Sequence, residues 1–469
     1  MSDNTQAFPY TPDPAYLTLG EGFADAVEAA DFPKTILRWR NDASAAEIGL
    51  SQLSDDEWLA HFGRFEPLPD NLPQPLALRY HGHQFRVYNP DLGDGRGFLF
   101  AQMRDDQGRL IDLGTKGSGT TPWSRQGDGR LTLKGAVREL LATEMLEALG
   151  VNTSRTFSIV ETGEALHRGD EPSPTRSAVL VRQSHGHIRI GSFQRLAAWE
   201  DTARLTRLAR YALQYYHGRA PEVLAAMDDA SIAVDLLGAV VERTADLAAS
   251  YMVAGFVHGV LNTDNINISG ESFDYGPWRF TEFWDPAFTA AYFDHQGLYA
   301  FGRQPEAIHW NAAQLAIALR PLSEAPPLIE QLERFGPLYQ QAIARRFLAR
   351  LNLKSRGHET DVALVGAAEA FMIAENIAID RFFFDWRGGR TITAPSADAS
   401  DALKAFHAAY SSYESVISLD HPYWADAAPC SMLIGEVEQI WSAISDEDDW
   451  APLFRKVELI RRMKAAHLE

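Results

Sequence analysis

The order of patterns along the chain predicts an α+β protein with two lobes, a strand-rich first part followed by a helix-rich second part. Two observations carry that prediction. Short apolar runs separated by glycine and polar turns fill residues 97–183, and helical spacing takes over from about Asp201 to the C-terminus. Size agrees: 469 residues, 46% hydrophobic and 23% charged, are ordinary for a globular chain and enough for two packed cores.

Residues 1–75 are rich in Pro, Asp and short apolar patches, which predicts an N-terminal extension packed on the body. Residues 76–195 form the expected nucleotide-binding, strand-rich lobe. Within it GFLFAQM, the turn RDDQGR and LIDLGTKG predict a β-hairpin ending near Lys116. A glycine-rich loop, GSGTTPWSRQGDGR, follows. The spacing then predicts a helix over 131–149, with apolar residues at 133, 136, 137, 140, 141, 145 and 148, stopped by Gly150. TFSIVET and SAVLVRQ are two further strand-like runs before GHIRIGSFQ. Residues 196–469 make the helical lobe, which carries the metal and catalytic loop described below.

Charge narrows the partners. A net charge of −20 argues against a broad footprint on nucleic acid or anionic membrane, although a local basic pocket is compatible with it. The single cysteine, Cys430, permits neither an intramolecular disulfide nor a cysteine zinc site, so cytoplasmic residence is the simplest expectation. MSDNTQAFPYTPDPAY has no export or mitochondrial signal pattern. No uninterrupted apolar run approaches the roughly 18 residues that span a bilayer.

The chemistry concentrates in HGVLNTDNINISGESFDYGP, residues 258–277. Phosphotransferases of the kinase fold carry an H-x-D-x-x-x-x-N loop with a base Asp and a metal-binding Asn, and a later D-F-G with a second metal carboxylate. His258 and Asn265 keep that spacing, and Asp274-Tyr275-Gly276 stands where D-F-G belongs. The base position is Val260, which accepts no proton. Asn265 and Asp274 are hard oxygen donors suited to a divalent cation, with a loop and short strand over 266–273 to bring them together. Taken singly, each reads better as a capping Asn or a turn Asp; joined to His258 and the preceding helix, the metal-binding reading prevails. Asp264 is the carboxylate nearest the vacant base position, either a replacement base or a loop-ordering residue.

Lys116 at a strand end and Glu139 in the next helix suit the Lys–Glu pair that fixes nucleotide phosphates; the plain alternative is a solvated ion pair. Arg182 and Arg189, in two strands joined by the SHGH turn, would face a terminal phosphate or pyrophosphate unless they are ordinary surface arginines. GDGR occurs at 93–96 and again at 127–130, each copy setting two glycines beside an Arg. HGH also occurs twice, at 81–83 and 185–187; with no matching carboxylate or cysteine set, neither is read as a metal site. FFFDWRGG at 382–389 and Trp278, Trp284 and Trp310 read as packing.

YHGHQF, GDGR, LGTKGSGTTPWSRQGDGR, the helix with REL, AVLVR with HIRIGSFQ, HGVLNTDN, FDYGP and QPEAIHWNAAQLAIAL span roughly residues 80–320. In that order and combination the chain resembles the selenoprotein O family of protein adenylyltransferases, formerly regarded as pseudokinases. The resemblance implies a protein-kinase-like fold that binds ATP in a flipped orientation and transfers AMP to Ser, Thr or Tyr hydroxyls of proteins, releasing pyrophosphate. By motif it implies nucleotide contacts from Gly93, Gly95, Arg96, Lys116, Asp128, Gly129, Arg182, Arg189 and Asp274. Asn265 and Asp274 would bind magnesium (or manganese), Asp264 would accept the proton, and Glu139 would orient Lys116.

One departure stands out. Many members carry a selenocysteine or cysteine pair near the C-terminus, whereas this chain ends FRKVELIRRMKAAHLE with Cys430 as its only thiol, so redox control through an internal disulfide is not expected. Two other readings stand beside adenylylation: UMP transfer from UTP with manganese, and a catalytically silent nucleotide-binding scaffold. No motif names the protein acceptor.

Overall fold

The computed structural model describes residues 8–169, 171–390 and 392–468. The expected extension therefore begins, at residues 1–7, outside the described residues. The chain folds as a mixed α/β structure around a large antiparallel sheet. Its strands are β1 (Ala24–Ala26), β2 (Ile36–Arg40), β3 (Leu76–Leu78), β6 (Leu99–Arg104), β7 (Leu110–Lys116), β8 (Leu131–Thr132), β9 (Arg155–Leu166) and β10 (Thr175–Ser184). A separate two-stranded ribbon joins β4 (Gly82–Gln84) to β5 (Val87–Asn89).

The sheet order is β1-β3-β6-β7-β10-β9-β2, with β8 added beside β10. The expected hairpin is β6 and β7, paired with Gln102 opposite Asp112. Its turn is tied by the buried Asp105 carboxylate, which accepts from the backbone nitrogens of Gln107 and Arg109 at 3.0 and 2.8 Å. Every residue of β7 is buried because both faces of the sheet are covered. Val179 and Val181 of β10 pack on one side with Trp58 and Phe62. Ala178 and Leu180 pack on the other with the Leu133–Ala148 helix. Period-two alternation thus sorts β10 between two apolar cores.

Within residues 8–75, β1 and β2 supply the two outermost strands of the sheet. Strands of three and five residues leave too short a pattern to be told from loop.

The helix-rich part begins earlier than Asp201, with Ile190–Ala198. The longest helix, Asp229–Ala254, starts on an Asp228 side chain that accepts from the Ser231 nitrogen, and stops at Gly255, whose φ of 68° is the left-handed end of a helix. It runs through the helical part, buried on most of its circumference, and delivers the chain directly into the segment that begins at His258. Phe382, Phe383 and Trp386 pack in a second apolar cluster with Phe347, Phe371 and Phe406, so that aromatic word is core. Trp278 and Trp284 are buried in the same manner. The Ala451–Leu468 helix lies against Leu133–Ala148, with Arg461 bonded to Glu144 at 2.6 and 2.9 Å and Lys464 to Glu147 at 3.1 Å. Among the described residues no helix is long and apolar enough to cross a membrane.

Candidate active site

The strand end, the helix and the loop after Asp229–Ala254 converge on one carboxylate. Lys116, the last residue of β7, bonds Glu139 Oε2 at 2.8 Å and reaches Asp274 Oδ1 at 3.2 Å. Arg182 of β10 is opposite Gly114 of β7, which puts its guanidinium 3.6 Å from the same Asp274 oxygen. Arg189 Nη1 lies 3.3 Å from Asp274 Oδ2. Three cations therefore surround Asp274, whose side chain keeps 21% exposure. Burial opposes its ionisation, yet Lys116, Arg182, Arg189 and Arg96 together hold it well below the ordinary carboxylate range. Asp274 also sits at φ 62°, the left-handed region that Asp tolerates better than most residues.

Arg189 is not in a second strand, as the sequence predicted. It precedes the Ile190–Ala198 helix and pairs only as an isolated bridge with Asn267. The alternation in HIRIG spans too few residues to separate a strand from a helix entry. The expected strand over 266–273 is likewise absent. That segment is irregular, tied to 188–190 by bonds from the Ile190 nitrogen to Ile266 O and from the Ile268 nitrogen to Ile188 O. The consequence is favourable, because it brings Arg189 onto the loop itself, where its Nη1 donates to Asp264 O at 2.9 Å.

His258 ties the two ends of the segment together. Burial keeps its pKa low, so the neutral ring donates from Nε2 to Phe273 O at 3.0 Å. Between those ends Asp264 is 7% exposed and packed over Gly82, where an added Cβ would come within 3.1 Å of Oδ1. Its Oδ1 has no hydrogen-bond partner, while Oδ2 accepts from Gln84 Nε2 at 3.4 Å. Desolvation raises the Asp264 pKa to about 6 despite the opposing charge of Arg189.

Lys116, Arg182, Arg189, Asp264 and Asp274 line a cavity of about 630 Å³, of nucleotide size, together with the glycine-rich segments. Gly93 lies under the Trp123 ring, where a Cβ would meet carbon at 2.3 Å, and Gly129, at φ 69°, crosses the Gly119 carbonyl where a Cβ would be 2.2 Å away. Both positions demand glycine. A second cleft, of about 700 Å³, lies on the helical side around Arg219, Asp235 and Arg334, where Arg219 pairs with Asp235 at 2.8 Å.

A family model described as protein adenylyltransferase SelO matches residues 7–461. The chain belongs to that family. Its relatives include proteins named protein nucleotidyltransferase YdiU from Synechocystis sp. (42% identical, covering 94% of this chain and 96% of the relative) and Synechococcus elongatus (41%, covering 94% and 93%). One from Gloeobacter violaceus is 41% identical, covering 96% and 95%. SelO is thus a family of protein nucleotidyltransferases, and the match covers nearly the whole of this chain.

Of the residues singled out in this SelO chain, Gly93, Gly95, Arg96, Lys116, Asp128, Gly129, Arg182, Arg189, Asp264 and Asp274 all line the cavity. Glu139 stands behind Lys116, 1% exposed. Asp128 is at the rim, half exposed and bound by Arg168 at 2.8 Å. Asn265 is beside the cavity, its Nδ2 donating to Val260 O at 2.9 Å. Sequence reasoning missed Asp94, which receives Arg189 at 3.2 Å and whose pKa is raised by burial, and Gln84 and Trp123. Asp94 and Gln84 sit inside words already noticed, GDGR and YHGHQF. In the second HGH, His185 bonds Glu271 at 2.9 Å, while His187 leans on Gly114 with its Nδ1 3.3 Å from Asp112 and lines the cavity. Among the described residues no group of three or more His, Cys, Asp or Glu is gathered to hold a metal.

The donor set nonetheless fits a magnesium ion, which keeps several waters and takes one or two carboxylates together with substrate phosphates. Asp274 is held ionised at the cavity wall, and the Asn265 amide is turned beside the cavity by its bond to Val260 O.

Proposed function

We propose that this protein transfers AMP from ATP to Ser, Thr or Tyr hydroxyls of other proteins, with ATP bound in a flipped orientation in a protein-kinase-like two-lobed fold. The observation that carries the reading is the convergence of Lys116, Arg182 and Arg189 on Asp274 with the unpartnered Asp264 carboxylate oxygen beside it and a valine at the kinase base position. Strong cations clustered away from a kinase base suit a leaving pyrophosphate.

In this mechanism Asp264 takes the proton of the acceptor hydroxyl as its oxygen bonds to the α phosphorus. The bond from that phosphorus to the bridging oxygen of the β phosphate breaks, and pyrophosphate departs with its charge matched by Lys116, Arg182 and Arg189. Glu139 holds Lys116 in place at 2.8 Å, and Gln84 orients Asp264. Asn265 and Asp274 would hold magnesium, which when bound neutralises phosphate charge and polarises the phosphoryl group. The glycines at 93, 95 and 129 let backbone approach the nucleotide, and Arg96 and Asp128 complete its contacts.

ATP labelled separately on the α and γ phosphates tests the reading. Covalent α label on protein is the expected result; γ label would mean kinase chemistry, and neither label would mean a nucleotide-binding scaffold. Preference for UTP with manganese in competition would replace AMP by UMP.

A further inference from the structure

The three cations that converge on Asp274 are also held by two further buried carboxylates. Glu139 serves two of them, bonding Lys116 at 2.8 Å and lying 3.9 Å from Arg182. Arg189 has a different partner, Asp94, whose Oδ1 accepts from Nη2 at 3.2 Å. Asp94 is itself fixed. Its Oδ2 accepts from the nitrogen of Leu78, the last residue of β3, at 3.1 Å, and its own nitrogen donates to Leu78 O at 3.0 Å. Its carbonyl accepts from Thr121 Oγ1 at 2.5 Å, which ties it to the second glycine-rich segment. Burial pushes the Asp94 carboxyl up and Arg189 pulls it back down, so the guanidinium is what keeps this charge in place.

Arg189 is held on its faces and on its edges. Its guanidinium carbon lies 4.5 Å from the centre of the Tyr80 ring and 4.9 Å from that of Phe273. On its edges Nη1 donates to Asp264 O at 2.9 Å and to Asp274 Oδ2 at 3.3 Å, and Nη2 donates to Asp94. Each terminal nitrogen carries two hydrogens, so one on Nη2 stays uncommitted, on a side chain that lines the nucleotide's cavity. Asp274 is the carboxylate assigned above to magnesium. Asp94 is therefore the carboxylate that Arg189 keeps for itself.

We propose that Asp94 is a positioning residue for the pyrophosphate half of the nucleotide: acting through Arg189, it holds that guanidinium toward the departing phosphates, as Glu139 holds Lys116. The proposal rests on the reading of pyrophosphate as the leaving group. The second copy of GDGR has no such part, since its Asp128 is half exposed at the rim and pairs with Arg168. In the first copy, Gly93 and Gly95 offer backbone to the nucleotide while Asp94 between them reaches the arginine that donates to Asp264 O. One side chain thus joins the nucleotide's roof to the proton-accepting loop. A merely structural Asp94, tying β3 to that roof, would affect every ligand of the cavity alike.

The test titrates the full-length protein, with magnesium, against pyrophosphate and against AMP in a calorimeter. Asp94→Asn keeps an acceptor for Leu78 N and removes the charge that faces Arg189. It should weaken pyrophosphate by roughly tenfold or more and change AMP by less than about twofold. In an Arg189→Met background the same substitution should cost pyrophosphate less than about twofold, because the residue it acts through is gone. Arg189→Lys, which leaves Asp94 in place and keeps the charge without the paired nitrogens, should show the same loss of pyrophosphate with AMP intact. Equal weakening of both ligands by Asp94→Asn, or of neither, would overturn the proposal. So would a full loss that persists in the Arg189→Met background, or wild-type pyrophosphate affinity in Arg189→Lys. Binding is read without transfer, so absent α-label transfer would count against adenylylation and leave the role of Asp94 standing.

Discussion

Asp264 and Asp274 are the same side chain on the same connection, and their surroundings drive them in opposite directions. Asp274 is ringed by Lys116, Arg182 and Arg189 and stays ionised far into acid. Asp264 faces Gly82 and one weak amide donor, and burial lifts it to about 6. Placement alone therefore separates a fixed negative charge from a group that can exchange a proton near neutrality.

Replacing each by asparagine should split the pair. Asp274→Asn is expected to have the largest effect, lowering transfer by roughly 10²-fold or more through loss of the charge that organises three cations. Its depressed pKa means that the ionised form stabilises the fold at neutral pH and that this contribution is lost as pH falls through the folded value. The variant should thus be less stable at pH 7.5, by roughly 3 kcal/mol, in thermal or denaturant unfolding. Wild-type stability in the Asn variant would refute the ring of charge.

Asp264→Asn should lower kcat by about 10²–10⁴-fold while nucleotide still binds in a fluorescence titration. Here the linkage sign is reversed. A folded pKa of about 6 against an ordinary 3.8 means that native stability declines as pH rises between those values and is level above them. Above pH 6 the Asn variant should accordingly be more stable than wild type, by about 1–3 kcal/mol. Wild-type kcat should climb with pH through an acid limb near 6, and a flat profile would remove Asp264 as the base.

Gln84→Ala is the gentlest probe. Its amide lowers the Asp264 pKa, so its loss should shift the acid limb to higher pH and reduce kcat about 3–10-fold with little change in ATP affinity. An unmoved limb would mean that Gln84 does not reach the base in solution.

Much of this site was legible in sequence because its words sit at element ends. Lys116 closes a run of period two, and Glu139 lies one helical stretch later, so their meeting could be anticipated. Burial could not. Asp94 and Asp128 occupy the same place in two copies of GDGR, yet Asp94 is 10% exposed against Arg189 and Asp128 is 50% exposed against Arg168. Identical letters diverge because tertiary neighbours, not the local word, set solvation. Strands β1 and β2 stayed hidden for a related reason: their partners lie about 50 and 120 residues away, and no local period encodes that pairing.

The bracing of the Leu133–Ala148 helix by Ala451–Leu468 has a consequence for the order of synthesis. Glu139 rides on a helix whose outer face is gripped at Glu144 and Glu147 by Arg461 and Lys464, residues made more than 300 positions later. On a ribosome adding about 5–20 residues per second, that is a delay of roughly 15–60 s after the helix emerges. Through that interval the lysine clamp lacks its final support, so a nascent chain can bury its sheet long before it can use its nucleotide.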